Sequence, residues 1–139
     1  MNCHNGERYL KEALISVLNQ SYKNWELIFF DNNSNDNSKN IVFSFKDKRI
    51  KYYKSKLVNL GIARKRAFKL CTGRFLTFLD CDDYWDKNKL KLQLNTMIKY
   101  PNVGLCFSNS IFFRKNFKRK LYNHKPNDGY IFESLLRRY

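Results

Sequence analysis

No stretch of this 139-residue chain approaches the roughly 18 to 20 consecutive apolar residues that cross a bilayer. The opening residues, MNCHNGERYL, also lack the basic-then-apolar layout of a signal peptide. A soluble or peripheral protein is expected. Cysteine is sparse and scattered: Cys3, Cys71, Cys81 and Cys106 form no CxxC pair, and His4 and His124 stand too far apart for zinc-ligand spacing. That pattern fits reduced thiols in a cytoplasm. GKS, GKT and GxGxxG strings are absent, so neither a P-loop nor the dinucleotide fingerprint is present. Nor is there an RNP-like aromatic pattern, a GxxG clamp or zinc-finger spacing, and no nucleic-acid partner is expected. Acid is scarce too: twelve Asp and Glu stand against twenty-seven Lys and Arg, a formal net charge of +15.

That excess admits a nucleic-acid binder, a protein resting on an anionic membrane, or a solvated lysine-rich surface. The one true basic cluster, RKNFKRK at 114–120, fits lipid phosphate or an exposed hairpin or loop equally well. A hydrophobic fraction of 43% is that of a folded protein, and the length suits a single domain over residues 1–139.

Three short apolar runs read as buried strands: LIFF at 27–30, FLTFL at 75–79 and VGLCF at 103–107. RIKYY at 49–53 is a fourth strand candidate. Between them lie helical patterns. Leu10, Leu14, Val17 and Leu18 recur at helical spacing within residues 7–20, with Asn5 as the expected N-cap. Ser34 or Asn35 is expected to cap a second helix carrying Ile41, Val42 and Phe45. Ala63, Ala67 and Leu70 mark a third helix after Gly61. Asp86 should cap a fourth, whose core stripe is Leu90, Leu94, Met97 and Ile98 and which Pro101 ends. Alternating helix and strand predicts an α/β fold with a mostly parallel sheet covered on both faces. Ligands bind such sheets at the carboxyl ends of the strands.

The scarce acids gather at one of those ends. FLTFL runs into Asp80, Cys81, Asp82 and Asp83, three carboxylates in four positions. If the chain stays extended, alternation sets Asp80 and Asp82 on one side with Cα atoms roughly 6 to 7 Å apart. Like charges that close resist burial unless a cation relieves them, and oxygen donors suit Mg²⁺ or Mn²⁺. The same acids also serve as turn formers or helix caps. LIFF ends in DNNSNDNS, where Asp31 and Asn32 offer groups for a pyrimidine edge or ribose hydroxyls, and equally for ordinary turns. In NLGIARKRA, Asn59 opens the segment, Gly61 suits a tight turn, and Arg64 on the following helix is within reach of a phosphate or of solvent.

Taken in order, HNGERYLKEALISVLNQSYKNWELIFFDNNSNDNS, NLGIARKRA and TGRFLTFLDCDDYW resemble the N-terminal, donor-binding half of a family 2 glycosyltransferase, over about residues 1–110. The resemblance implies a GT-A fold, a Rossmann-like three-layer sandwich, here apparently truncated at both ends. It implies inverting transfer of a sugar from a nucleotide-diphosphate donor, commonly a UDP-sugar, assisted by Mn²⁺ or Mg²⁺. The family's DxD motif matches Asp80, Cys81 and Asp82. Asp82 would contact the metal, and Asp80 would lie towards donor ribose or sugar and the same ion. Asn2, Cys3, His4 and Asn5 match the loop against the nucleotide base, and Asp31 and Asn32 match acids that read base or ribose. Asn59, Gly61 and Arg64 complete the expected donor site. Two positions depart from the family: His4 stands where a tyrosine is usual, and Asn32 where a second aspartate is usual.

The resemblance further implies a catalytic base well beyond the DxD motif, and Asp128 and Glu133 come too early for it. The base is expected outside this chain. A glycan or lipid-linked acceptor and a cytoplasmic location, peripheral at the inner membrane face, complete the reading. Its rivals are a donor-binding fragment without turnover and a basic module for RNA or membrane lipid.

Overall fold

The computed structural model describes residues 1–114, 117–121 and 129. Length alone suggested one domain over 1–139; the chain divides into two compact units, Met1–Tyr100 and Pro101–Tyr139.

In the first unit β1 (Asn2–Cys3), α1 (Glu7–Leu18), β2 (Leu27–Asp31), α2 (Ser38–Ser44), β3 (Ile50–Lys54), α3 (Leu60–Phe68) and α4 (Lys89–Lys99) follow one another. β2 is central, parallel to β1 on one side and to β3 on the other, with Asn2 opposite Phe30 and Leu27 opposite Ile50. A parallel bridge between Asn2 and Asp80 brings the end of FLTFL alongside β1.

Every residue of β2 is buried, as a central parallel strand requires. Its side chains alternate between two cores. Leu27 and Phe29 pack with Leu10, Leu14 and Val17 of α1 and Val42 of α2, whereas Ile28 and Phe30 pack against Ala63 and Ala67 of α3. Helices therefore cover both faces, and the expected three-layer α/β sandwich is the observed one. The stripe of α1 is Leu10, Ala13, Leu14 and Val17; Leu18 is only half-buried.

Polar clamps lock this frame. Gln20, wholly buried, donates through Nε2 to the carbonyls of Ser16 (3.1 Å) and Asp86 (2.7 Å) and accepts from the Leu90 amide at 3.0 Å. It thereby fastens the chain beyond the acidic cluster to the end of α1. Glu26 accepts from Lys51 Nζ at 2.7 Å and from the amide and hydroxyl of Thr72 at 2.6 and 2.8 Å.

The Lys51 contact, then those of Thr72, hold the Glu26 carboxyl at about 2, below its ordinary 4.5. A depressed carboxyl stabilises the fold above the unfolded value and ceases to do so as pH falls through the folded one. Wild type should therefore exceed Glu26→Gln by about 1 kcal/mol at neutral pH, the upper end for partly exposed pairs. The gap should close between pH 4.5 and about 2. Urea melts across that range measure it; a gap that does not vary with pH would refute the clamp.

Three expectations fail. FLTFL is not a ladder strand: β1 offers it only Asn2 and Cys3, its sole bridge among the described residues is at Asp80, and Phe75, Leu76 and Phe78 are exposed while Leu79 enters the core. VGLCF is likewise no strand, for an apolar run becomes one only beside a hydrogen-bonding neighbour, and none is described for it. The α4 stripe is not core: Leu90, Leu94 and Met97 are half-buried and Ile98 is exposed. No described element packs closely enough over that face to bury it.

In the second unit β4 (Ile111–Arg114) and β5 (Phe117–Lys120) pair antiparallel, with Arg114 opposite Phe117. Of the basic cluster, Arg114 ends β4 and Phe117–Lys120 form β5, exposed along its length, while residues 115 and 116 lie outside the described residues.

Candidate functional site

The carboxyl ends of β1 and β2 are held by two loops that hydrogen-bond to each other. After β1 the chain passes through Asn5 at a positive φ of 54°, which asparagine tolerates. Asn5 donates from its amide to Ser34 Oγ at 3.0 Å, and its side-chain Oδ1 accepts from the Asn35 amide at 2.9 Å. Gly6 donates to Ser38 Oγ at 3.0 Å. The Glu7 amide donates to Asp36 Oδ2 at 2.9 Å, and Glu7 Oε2 accepts from the Asn37 amide at 2.8 Å.

These bonds revise the expected caps. Gly6, not Asn5, precedes α1, and Asn37, not Ser34 or Asn35, precedes α2. Ser34 and Asn35 serve the neighbouring loop instead. Asp86 does not cap α4 directly; Asn88 occupies that position, and Asp86 Oδ1 accepts from its amide at 2.8 Å.

Asp31 is buried at 1% exposure, with Oδ1 accepting from the Ser34 amide at 2.7 Å and Oδ2 from the Tyr52 hydroxyl. Burial first, then that bond, pushes the Tyr52 hydroxyl well above its ordinary range. Asn32 is also buried, at 7% exposure. Its Nδ2 donates to the Val58 carbonyl at 2.7 Å and its Oδ1 accepts from the Val58 amide at 3.0 Å. Its own carbonyl oxygen lies 3.0 Å from His4 Nδ1, which fixes the exposed ring at the rim.

Asp80 and Asp82 do not lie on an extended strand. The Asp83 amide donates to the Asp80 carbonyl at 3.2 Å, closing a turn around Cys81 and Asp82. Even so, Asp80 and Asp82 face one hollow of about 200 Å³, lined also by Asn2, Cys3, His4, Asn32, Leu60 and Cys81. Arg64 Nη2 reaches Asp80 Oδ1 at 2.9 Å, an exposed pair, whereas no ion pair reaches Asp82 among the described residues. Burial, then the charges of Asp82 and Asp80, raises the Asp83 carboxyl. The acids thus crowd one another as their spacing suggested. Among the described residues no group of three or more His, Cys, Asp or Glu side chains converges on a metal position.

Within the turn Cys81 faces Cys3. The proximity of the two thiols lowers Cys3 to about 7 and, with burial, raises Cys81. Both sulfurs crowd Gly6, where a Cβ would meet them at 2.7 and 2.9 Å.

Of the expected site residues, Asn5, Asp31, Asn59, Gly61 and Arg64 do not line the hollow. Asn59 caps α3, its Oδ1 accepting from the Ile62 amide at 2.9 Å. Gly61 lies inside the first turn of α3, where a Cβ would make only an ordinary 3.5 Å contact, so no tight turn demands glycine there. Leu60, which lines the hollow, escaped sequence reading because a lone leucine at a helix start carries no chemical signal. Ser38 and Asp36 were equally hidden, since their partners are distant in sequence. Asp128, Glu133 and His124 lie outside the described residues. A larger open groove of about 790 Å³ runs past Glu12, Ser16 and Trp85, but none of the strand-end carboxylates lines it.

A parallel sheet with helices on both faces and carboxylates at its strand ends is the α/β arrangement expected of a GT-A fold. The chain belongs to glycosyl transferase family 2, whose model matches residues 1–138. It is 38% identical over 117 residues to the Escherichia coli UDP-Glc:alpha-D-GlcNAc-diphosphoundecaprenol beta-1,3-glucosyltransferase WfgD, covering 84% of this chain and 46% of that protein. Over 99 residues it is 35% identical to the putative teichuronic acid biosynthesis glycosyltransferase TuaG of Bacillus subtilis, covering 69% and 39%. Among solved structures, Staphylococcus aureus TarS 1-349 in complex with UDP-GlcNAc superposes with a TM-score of 0.69 at 28% identity, covering 72% of this chain and 30% of that one. The chain spans about half the length, or less, of the curated relatives it matches. No described helix is long and apolar enough to cross a membrane.

Proposed function

We propose that this chain forms the donor side of an inverting glycosyltransferase that takes a sugar from a UDP-sugar and passes it to a glycan or lipid-linked acceptor. The observation that carries the reading is the convergence of Asp80, Asp82, His4 and Asn32 on one hollow, with Asp80 pinned by Arg64 and Asp82 left unpaired by any described cation. Support also comes from the UDP-GlcNAc bound by TarS and from the UDP-Glc donor and diphosphoundecaprenol acceptor in the name of WfgD.

In this reading the His4 ring stacks on the base. Asn32, its amide spent on Val58, has one lone pair of Oδ1 left for the base. Asp31 touches no ligand and positions the Ser34 turn. Cys3 and Cys81 form the wall behind the diphosphate, Asn2 and Asn5 hold the base loop, and Asn59 and Gly61 shape the start of the helix that carries Arg64.

The donor set fits Mn²⁺ or Mg²⁺: hard carboxylate oxygens, too few for a closed cage, leave coordination sites for a diphosphate and water. Asp82 would hold the ion, with Asp80 beside it. Once bound, it would neutralise charge on the departing diphosphate. The net charge of +15 suits an anionic lipid surface at the inner face of a membrane.

Calorimetry with UDP, with and without Mn²⁺, tests the reading. Asp82→Ala should weaken the metal-dependent binding by about tenfold or more. Equal affinity in wild type and variant, or no UDP binding in either, would overturn it.

A further inference from the structure

We propose that Cys3 and Cys81 are a redox-responsive pair whose disulfide narrows the hollow between β1 and the acidic turn. The pair stands on geometry. Cys3 lies at the end of β1 and Cys81 inside the Asp80–Asp83 turn, and their sulfurs lie 2.7 and 2.9 Å from the one point a Cβ at Gly6 would occupy. Both sulfurs crowd the face of Gly6, where only the missing side chain leaves room for them. Both residues also line the hollow, so a small reagent that enters it meets them.

The other thiols are placed differently. Cys71 donates to the Ala67 carbonyl at 3.5 Å beside α3, and Cys106 belongs to the second unit.

The reagent class is a low-molecular-weight disulfide, RSSR. One thiol of the pair, as its thiolate, attacks one sulfur, forming a mixed disulfide with R and releasing RS⁻. The thiolate of the other cysteine then attacks the protein sulfur of that mixed disulfide, forming Cys3–S–S–Cys81 and releasing the second RS⁻. The two protons of the protein thiols leave with the two released thiols, and RSSR takes the two electrons. The new bond, about 2.05 Å long, draws the two neighbouring sulfurs into covalent contact. The turn carrying Asp80 and Asp82 must follow Cys81 towards β1.

The functional consequence rests on the donor-binding reading above: the oxidised protein should bind UDP with Mn²⁺ about tenfold or more weakly, as displaced contacts do. The test treats the full chain with oxidised glutathione, maps disulfides by peptide mass spectrometry, and measures UDP and Mn²⁺ binding before and after dithiothreitol. The expected result is an intramolecular Cys3–Cys81 bond, weakened binding, and recovery on reduction. A variant with Cys71→Ser and Cys106→Ser should behave identically.

Glutathione left as a stable adduct, or Cys3 joined to any other cysteine, overturns the pair. So does a Cys3–Cys81 bond that leaves UDP affinity unchanged. If reduced protein binds no UDP, the donor reading falls by itself, and the peptide map still decides whether the pair forms.

Discussion

Exchanging Asn32 for aspartate should destabilise the protein by about 2 to 3 kcal/mol at neutral pH, although aspartate is the residue its family usually carries there. The reason lies in the local clamp. Nδ2 donates to the Val58 carbonyl at 2.7 Å, and Oδ1 accepts from the Val58 amide at 3.0 Å. A carboxylate keeps the second bond but sets a negative oxygen against the carbonyl that had received the first. At 7% exposure, water does little to relieve the repulsion.

The variant also carries a pH signature. A protonated carboxyl can donate to Val58 as the amide did, so folding favours the protonated form and raises the pKa of the introduced group. Such a group supports the fold at low pH and ceases to do so as pH rises through the raised value. The deficit against wild type should therefore shrink on acidification. Urea melts at two pH values decide the matter; a variant as stable as wild type at neutral pH would show that the clamp is not what holds the loop.

Truncating Phe29 should have the larger effect, a loss of about 3 to 5 kcal/mol. Its ring is fully buried at the centre of β2, within the core that α1 and α2 supply. It stacks on Tyr52 with centroids 5.8 Å apart and planes 12° from parallel. Phe29→Ala would open a cavity among side chains held by helix and sheet, where collapse is limited. It would also free the Tyr52 ring, whose hydroxyl donates to buried Asp31. Denaturant unfolding should show the loss, and Tyr52→Phe should reproduce only a lesser part of it. A cost below about 1 kcal/mol would mean that the core refills, contrary to close packing.

What could be read from sequence was what has a local signature. Leu10, Leu14 and Val17 announce α1 through their spacing, and LIFF announces a strand buried on both faces. Crowded acids in a basic chain drew attention to Asp80 and Asp82, which share one hollow, although the extended backbone expected there is a turn. What was not legible depends on partners far along the chain. Gln20 looks like any helix-terminal glutamine until it meets Asp86 and Leu90. Asn59 passes for a ligand contact until it caps α3. FLTFL looks more strand-like than RIKYY, yet only RIKYY finds a full neighbouring strand, and pairing, not composition, makes a ladder. Likewise, the stripe of α4 marks an apolar face but cannot say what covers it.

The reciprocal bonds between the loops after β1 and β2 have a bearing on how this protein can vary. Each loop serves as the other's template: Asn5 shapes Asn35, Asp36 shapes Glu7, and Ser38 shapes Gly6. Single changes in these loops disturb both partners at once, whereas Leu60 and Asp82, which line the hollow, stand exposed. A library randomised at Asn5, Asp36 and Leu60 should retain folded members mainly through diversity at Leu60. The freedom to acquire a new ligand preference resides on that looser side.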